Sequence, residues 1–437
     1  MKAQTMKTLI STTLLLSALV FPALSQAAVA VPVAPSADAQ VVRGAYLAKA
    51  GDCIACHSTL KGQPFAGGLP MVTPMGKIYT TNITPDPATG IGGWSLADFD
   101  RAMRRGVSKD GHNLYPAMPY PSYAKVRDDD IAALYAYFMK GVAPVRQANR
   151  ASEIPFPLNM RWPLSLWNMV FLDKAVYQDK TGQSLAWNRG AYLAQGLGHC
   201  GACHTPRGVA FQEKALDESG KAWLTGTVVD NWYASNLTGE HNDGLGRWSA
   251  GDLTTFLKTG ANAHASAFGG MTDVINNSTQ AMSDDDLASL SAYLKSLPAS
   301  GGSSTPAYAY DAKASVAMLA RPANDAGAKV YAANCMHCHG VDGKAFAPLL
   351  APLAGNPNVL AKDVTSLVNV TLNGTRDLVI GGIPAAYPMP KYANVLDDKE
   401  IADVLTFIRA GWNNGMAPVT AADVKKIRAA TVAAAGN

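Results

Sequence analysis

Every cysteine in this sequence belongs to one of three clusters of the same form: Cys53-Ile54-Ala55-Cys56-His57, Cys200-Gly201-Ala202-Cys203-His204 and Cys335-Met336-His337-Cys338-His339. Each reads Cys-x-x-Cys-His, the pattern through which haem is attached covalently. The chemistry sets the spacing. Two thiols about one helical turn apart can add to two vinyl groups on one edge of a porphyrin. The adjacent histidine then turns under the ring and offers an imidazole nitrogen to iron. Disulfides in an exported chain would not need a histidine after every second cysteine. Structural zinc uses Cys-x-x-Cys pairs but not three Cys-His endings. A thioredoxin-like pair belongs near a βαβ pattern, and none is visible. Three haem c groups are therefore expected, attached at Cys53 and Cys56, Cys200 and Cys203, and Cys335 and Cys338. His57, His204 and His339 are the expected iron ligands.

The clusters sit in register with a longer repeat. Arg43-Gly44-Ala45-Tyr46-Leu47-Ala48 recurs as Arg189-Gly190-Ala191-Tyr192-Leu193-Ala194, and Gly327 to Tyr331 is a looser third copy. Downstream, Asn82-Ile83-Thr84 matches Asn236-Leu237-Thr238, and Gly93-Trp94-Ser95 matches Arg247-Trp248-Ser249. A helical stretch then ends near Gly106, Gly260 and Gly374. An amphipathic helix closes each copy: Ile131, Leu134, Tyr135 and Phe138; Leu287, Leu290 and Leu294; Ile401, Val404, Leu405 and Ile408. Asp128, Ser283 and Asp397 are the expected N-caps. At ~150 residues per domain, 437 residues also suggest about three domains. The expected boundaries are residues 38–145, 183–298 and 320–413. A proline-rich linker spans 146–182, a Ser/Gly-rich flexible connector 299–319 and a tail 414–437. The fold class is mainly α, three tandem domains with long loops.

Each iron needs a sixth ligand or an open position. Met118 lies in Tyr115-Pro116-Ala117-Met118-Pro119-Tyr120-Pro121, and Met389 in Tyr387-Pro388-Met389-Pro390. Prolines on both sides stiffen these loops and fix the methionine direction. A thioether is a soft ligand that favours the reduced metal. In the second domain Met271 keeps the register after Trp248, with Met282 and His264 as rivals. Met103 is expected to pack. Trp94 and Trp248 are candidates for hydrogen bonds to haem propionates or for simple packing. His112, His199, His241 and His337 read as surface or supporting residues. A metal-bound histidine usually donates its other nitrogen to an acceptor, and carbonyls near Pro64, Pro206 and Pro348 are candidates for that role.

Lys2 and Lys7 precede an apolar stretch from Leu9 to Leu24, followed by Ala27-Ala28-Val29-Ala30. This is the pattern of a secretory signal cleaved near residue 30. The mature protein is expected to lie outside the cytoplasm. The formal net charge is only +4, and no long basic run marks a nucleic-acid partner.

These motifs, with Leu114-Tyr115-Pro116-Ala117-Met118-Pro119-Tyr120 and Asn277-Ser278-Thr279-Gln280, resemble the tri-haem cytochrome c subunits of bacterial membrane-bound, quinone-linked dehydrogenases. The resemblance covers nearly the whole mature chain. It implies three class I cytochrome c-like domains, with Met118, Met271 and Met389 as distal ligands. It also implies a separate catalytic subunit carrying a flavin or pyrroloquinoline quinone, and leaves room for a small chaperone-like subunit. Electrons would pass to ubiquinone through peripheral membrane contact. Thr420 to Ala435 is a candidate surface helix or a solvated tail. No hydride-abstracting base or flavin-binding glycine turn is evident in the chain, so substrate oxidation is assigned to the partner. The alternatives are a free-standing electron carrier, and a haem enzyme with one open site.

Overall fold

The computed structural model describes residues 37–300, 306–311, 313, 319–320, 325–375 and 378–435. The expected signal over residues 1–30 and residues 301–305 of the second connector lie outside them. The described part is mainly helical, with three two-stranded antiparallel hairpins.

The first repeat comprises α1 (Ala37–Ala50), α2 (Cys53–His57), the hairpin β1 (Pro70–Thr73) and β2 (Gly76–Tyr79), α3 (Leu96–Arg105), α4 (Tyr120–Tyr123) and α5 (Asp128–Lys140). Ser95 and Asp98 cap α3 reciprocally, and Gly106 ends it at φ 61°. Ile131, Leu134 and Phe138 of α5 enter the core with Leu47 and Phe99, as the helical spacing requires. The N-cap differs from expectation. Arg127 holds that position, and Asp128 is the first helical residue. There its carboxylate meets the positive end of the helix and pairs with Arg104 at 2.7 Å.

After α6 (Pro163–Phe171), the second repeat comprises α7 (Leu185–Gln195), α8 (Gly201–His204), the hairpin β3 (Thr227–Val229) and β4 (Trp232–Ala234), α9 (Ala250–Thr259), α10 (Gly270–Asn277) and α11 (Asp284–Ser296). The third comprises α12 (Ala326–Asn334), α13 (Met336–His339), α14 (Pro357–Leu360), α15 (Thr365–Asn373), the hairpin β5 (Val379–Ile380) and β6 (Ile383–Pro384), α16 (Asp398–Ala410) and α17 (Ala421–Ala435). Ser283 and Asp397 are N-caps as expected, and Gly260 and Gly374 end α9 and α15 at φ 76° and 71°.

In all three repeats the helix before the cysteine motif crosses the closing helix at a glycine. A Cβ at Gly44, Gly190 or Gly327 would overlap the carbonyl oxygen of Ala133, Ser289 or Asp403. Only glycine permits that backbone approach.

The linkers are less free than their composition suggests. The backbone of Glu153 pairs with that of Lys77, and Trp167 donates to Ala210 O at 2.9 Å. In the second connector, Tyr308 donates its hydroxyl to Trp412 O at 2.8 Å and lies under Arg247. The C-terminal segment is a correction. It forms α17, but Val424 and Ile427 are buried in the third core with Val404 and Leu405. Its apolar stripe is consumed by α15 and α16, so it is neither a solvated tail nor an apolar face offered to a membrane.

Candidate metal centres

Each Cys-x-x-Cys-His cluster lies on a short helical turn that follows the first long helix of its repeat. All six cysteines are free of disulfides, with the second of each pair exposed and the first half-buried. Burial pushes the thiols of Cys53, Cys200 and Cys335 up to about 12. These are not low-pKa redox or nucleophilic thiols.

The three histidines share one arrangement. His57 Nδ1 lies 2.7 Å from Thr81 O, His204 Nδ1 2.7 Å from Ser235 O, and His339 Nδ1 2.9 Å from Ala351 O. A carbonyl only accepts, so Nδ1 carries the proton and Nε2 keeps its lone pair. Burial holds all three imidazoles below their ordinary pKa, against the opposing effect of these bonds. A neutral ring with Nδ1 anchored and Nε2 open is what iron ligation requires.

In the third repeat the acceptor lies three residues beyond Pro348, as expected, but in the first two the acceptors are not carbonyls near Pro64 and Pro206. In the first two repeats they come from the residue immediately before Asn-x-Thr. Asn82 Oδ1 accepts from Thr84 N–H at 3.0 Å, and Asn236 Oδ1 accepts from Thr238 N–H at 2.9 Å. These side-chain turns hold the preceding carbonyl under the ring. The matching Asn-x-Thr triplets were visible as a repeat; their purpose was not.

Cys53, Ile54, Trp94 and Met118 pack against one core. The Met118 loop is thus brought to the first motif. Met389 is half-buried, and its N–H donates to Thr375 Oγ1 at 2.9 Å. Three residues on, Tyr392 donates its hydroxyl to Asn334 O at 2.7 Å, beside Cys335. In the second repeat, Met282 is enclosed in the core and Met271 is half-buried in the first turn of α10. His264 stacks on Trp248 at 5.3 Å and faces Asp252 at 3.4 Å. Met103 packs in the first core. His112, His241 and His337 are exposed, and His199 lies 5.8 Å from the Tyr123 ring.

The indole Nε1 of Trp248 is buried with no partner among the described residues. An orphaned N–H is costly unless something accepts from it, and a bound group bearing carboxylates would. Paired free thiols, an open Nε2 on an anchored ring and this unused donor all fit haem c.

The fold and these sites define a c-type cytochrome. The family model for cytochrome c matches residues 41–141 and 325–412. The chain is 52% identical over 397 residues to the gluconate 2-dehydrogenase cytochrome c subunit of Pantoea cypripedii, covering 90% of each chain. It is 47% identical over 396 residues to the alcohol dehydrogenase (quinone), cytochrome c subunit of Gluconobacter oxydans (strain 621H), covering 90% of this chain and 82% of that one. It is 36% identical over 411 residues to the fructose dehydrogenase cytochrome subunit of Gluconobacter japonicus, covering 89% and 82%. The chain belongs to this family of dehydrogenase cytochrome c subunits, and it is an electron-transfer protein with covalently bound haem c.

Proposed function

We propose that the protein holds three haem c groups and carries electrons from a catalytic dehydrogenase subunit to ubiquinone, on the periplasmic side of the bacterial cytoplasmic membrane. The observation that carries this reading is the threefold Cys-x-x-Cys-His motif, each histidine with its Nδ1 on a carbonyl. Each haem c, when bound, supplies one iron centre that cycles by a single electron. The chain does the rest. Cys53 and Cys56, Cys200 and Cys203, and Cys335 and Cys338 would attach the haems. His57, His204 and His339 would ligate the irons, together with Met118, Met271 and Met389.

The first two motifs lie near one another across their interface: the Tyr123 ring of the first domain is 5.8 Å from that of His199, which precedes Cys200. That proximity supports an electron path between them. The relatives named as gluconate, alcohol and fructose dehydrogenase cytochrome subunits support a catalytic dehydrogenase partner, for which we propose a flavin or pyrroloquinoline quinone cofactor, and the name of one includes quinone.

The test is affinity purification of the tagged protein from detergent-solubilised membranes. Haem is counted, then quinone reduction is assayed with gluconate, ethanol, glucose, fructose and acetaldehyde. A co-purifying large subunit and activity on one substrate are expected. A three-haem protein with no partner and no activity would favour a free-standing carrier. In addition, Met118→Ala is expected to keep its haem, lower that haem's potential and open its sixth position. An unchanged redox titration would remove Met118 as ligand. Cys335→Ala should impair only the third attachment, and full covalent haem content in that variant would contradict the motif assignment.

A further inference from the structure

Between Pro155 and Leu172 the chain holds one charged residue, Arg161. That guanidinium is already engaged, 3.9 Å over the Tyr115 ring and donating to Asn113 O. The segment's apolar side chains are largely in solvent. Phe156, Trp162, Leu166, Met169 and Val170 are 77, 62, 50, 72 and 69% exposed. A surface helix ordinarily buries its apolar stripe and exposes its polar one.

Helix α6 does the reverse. Its buried residue is Asn168, which accepts from Tyr120 Oη at 2.7 Å and donates to Arg105 O. Trp167 packs edge-on against Tyr120 and donates to Ala210 O. Polar bonds therefore fasten the inner side while Leu166, Met169 and Val170 face out. The bond to Ala210 sets a second exposed pair beside the helix, Val209 and Phe211. Contiguous apolar surface of this kind is rare on a chain that stays in water, and it marks a docking face.

The charges around the patch indicate its occupant. Exposed Arg146 leads into the segment, Lys174 leads out, and Lys214 follows the neighbouring loop, while Arg150 is engaged over the Tyr79 ring and paired with Glu153. The exposed acids flanking the segment are Glu153, bonded by Tyr79 Oη at 2.6 Å, and Asp173, which accepts from Ala175 N–H. A tryptophan-bearing apolar helix with cationic flanks suits the headgroup boundary of an anionic bilayer. No helix among the described residues is long and apolar enough to cross a membrane; α6 is nine residues.

We propose that α6, the Phe156–Trp162 segment before it and the loop at Val209–Phe211 seat the protein on the interfacial layer of an anionic membrane. The proposal rests on the reading that ubiquinone, a lipid-soluble molecule, is the acceptor. It assigns membrane contact to the first connector and not to the C-terminal helix.

The test uses the full haem-loaded chain in a flotation assay. One set of vesicles is phosphatidylcholine alone, and the other is an equal mixture with phosphatidylglycerol. Binding is expected to be stronger to the mixture. The triple variant Trp162→Ser, Met169→Ser, Val170→Ser should bind the mixture at least about tenfold more weakly, given the apolar area removed. Val395→Ser, which alters an exposed apolar side chain of the third domain, should float like the native protein. Haem bands and melting of the triple variant show whether it has folded. If it is unfolded, the single variants Met169→Ser and Val170→Ser are read in its place, each expected to weaken binding severalfold. Native protein that does not float, or folded variants that float equally well, would overturn the proposal. So would variants that bind vesicles normally but lose the catalytic subunit on purification, because the patch would then be a protein interface. The acceptor reading is tested separately, by reduction of a short-chain, water-soluble ubiquinone analogue by the native complex. Its failure would sink that reading whatever the vesicles show.

Discussion

In the first two domains the motif histidine is anchored by a carbonyl 24 and 31 residues further on, beyond a β-hairpin; in the third the acceptor is 12 residues away. The domain contacts divide the same way. Arg43 Nε bonds Asp130 at 2.7 Å, and Tyr192 of the second domain bonds the other oxygen of Asp130 at 2.6 Å. Reciprocally, Arg189 grips Asp286 with two 2.7 Å bonds while Tyr46 of the first domain reaches Asp286 at 2.5 Å. Although burial opposes it, the bonds from Arg189 and Tyr46 hold the Asp286 carboxyl below its usual range. The repeated Arg-Gly-Ala-Tyr thus encodes a reciprocal interface, each arginine serving its own domain and each tyrosine its neighbour's.

In the third domain, Ala326 precedes Gly327 where the others have arginine, and Glu400 caps its own helix. That domain joins the second differently. Ser366 Oγ accepts from Tyr233 N–H at 2.7 Å and donates to Tyr233 O at 3.0 Å. Asn369 donates to Asn231 O, and Gln280 donates to Val379 O. The lesson is that one local fold was joined in two ways, by shared carboxylates and by bonds to backbone, the Arg247 guanidinium on Gly355 O among them.

The largest expected effect tests what the three domains share. Gly190→Ala and Gly327→Ala should each cost more than about 3 kcal/mol, because a Cβ meets backbone that cannot step aside. Thermal unfolding followed by circular dichroism would show it. A tolerated Gly327→Ala would mean that the third helix crossing is looser than the others.

A second test sets the second domain apart. The Glu213 side chain is buried beside Gly201, where the other motifs carry Ile54 and Met336, and one of its oxygens has no partner among the described residues. Burial pushes its carboxyl up to about 7 from 4.5, against the pull of Arg207 and Lys125. The folded chain therefore binds the proton more tightly than the unfolded chain. Stability from this group is full below pH 4.5 and is lost as pH rises towards 7. Relative to the native protein, Glu213→Gln should gain nothing at about pH 4 and up to about 3 kcal/mol at about pH 8. Urea midpoints at the two pH values that move in parallel would refute this assignment.

Asp130→Asn should cost about 2 kcal/mol, since two charge-assisted bonds weaken and Arg43 remains partly solvated. Glu400→Gln should cost under about 1 kcal/mol, because only an exposed helix cap is altered. Equal melting shifts in the two variants would erase the contrast between interfaces. A comparably small effect is expected from Ser366→Ala, about 1 kcal/mol at the second–third contact. Hydrogen exchange should rise at Tyr233 N–H and stay unchanged along α1 and α7. Loosening of α1 and α7 as well would show that the two interfaces act as one.

Much of the fold was legible in residues. The Ile131-Leu134-Phe138 stripe, the Ser283 and Asp397 caps and Gly106 each state their role within a single helical turn or two. The cysteine motifs do the same, because attachment to one porphyrin edge is local chemistry. The N-cap of α5 was missed by one residue because Asp128 found a better partner in Arg104. The carbonyls of Thr81 and Ser235 were missed for a different reason. Their function depends on which loop folds back under each histidine, and no local spacing records that. The outward apolar face of α6 was also hidden, since the stretch reads in sequence as a proline-rich linker.

The sequence by itself determined the repeated helical units, the attachment chemistry and the family, because motifs and helical periodicity act over a few residues. Tertiary structure alone decided which carbonyl orients each imidazole, how the tyrosines of one domain complete the ion pairs of the other, that Val424 and Ile427 belong to the third core, and that α6 turns its apolar side outward. Each of these depends on contacts between segments far apart in the chain, where burial and partner are set by packing and not by the residue's neighbours in sequence.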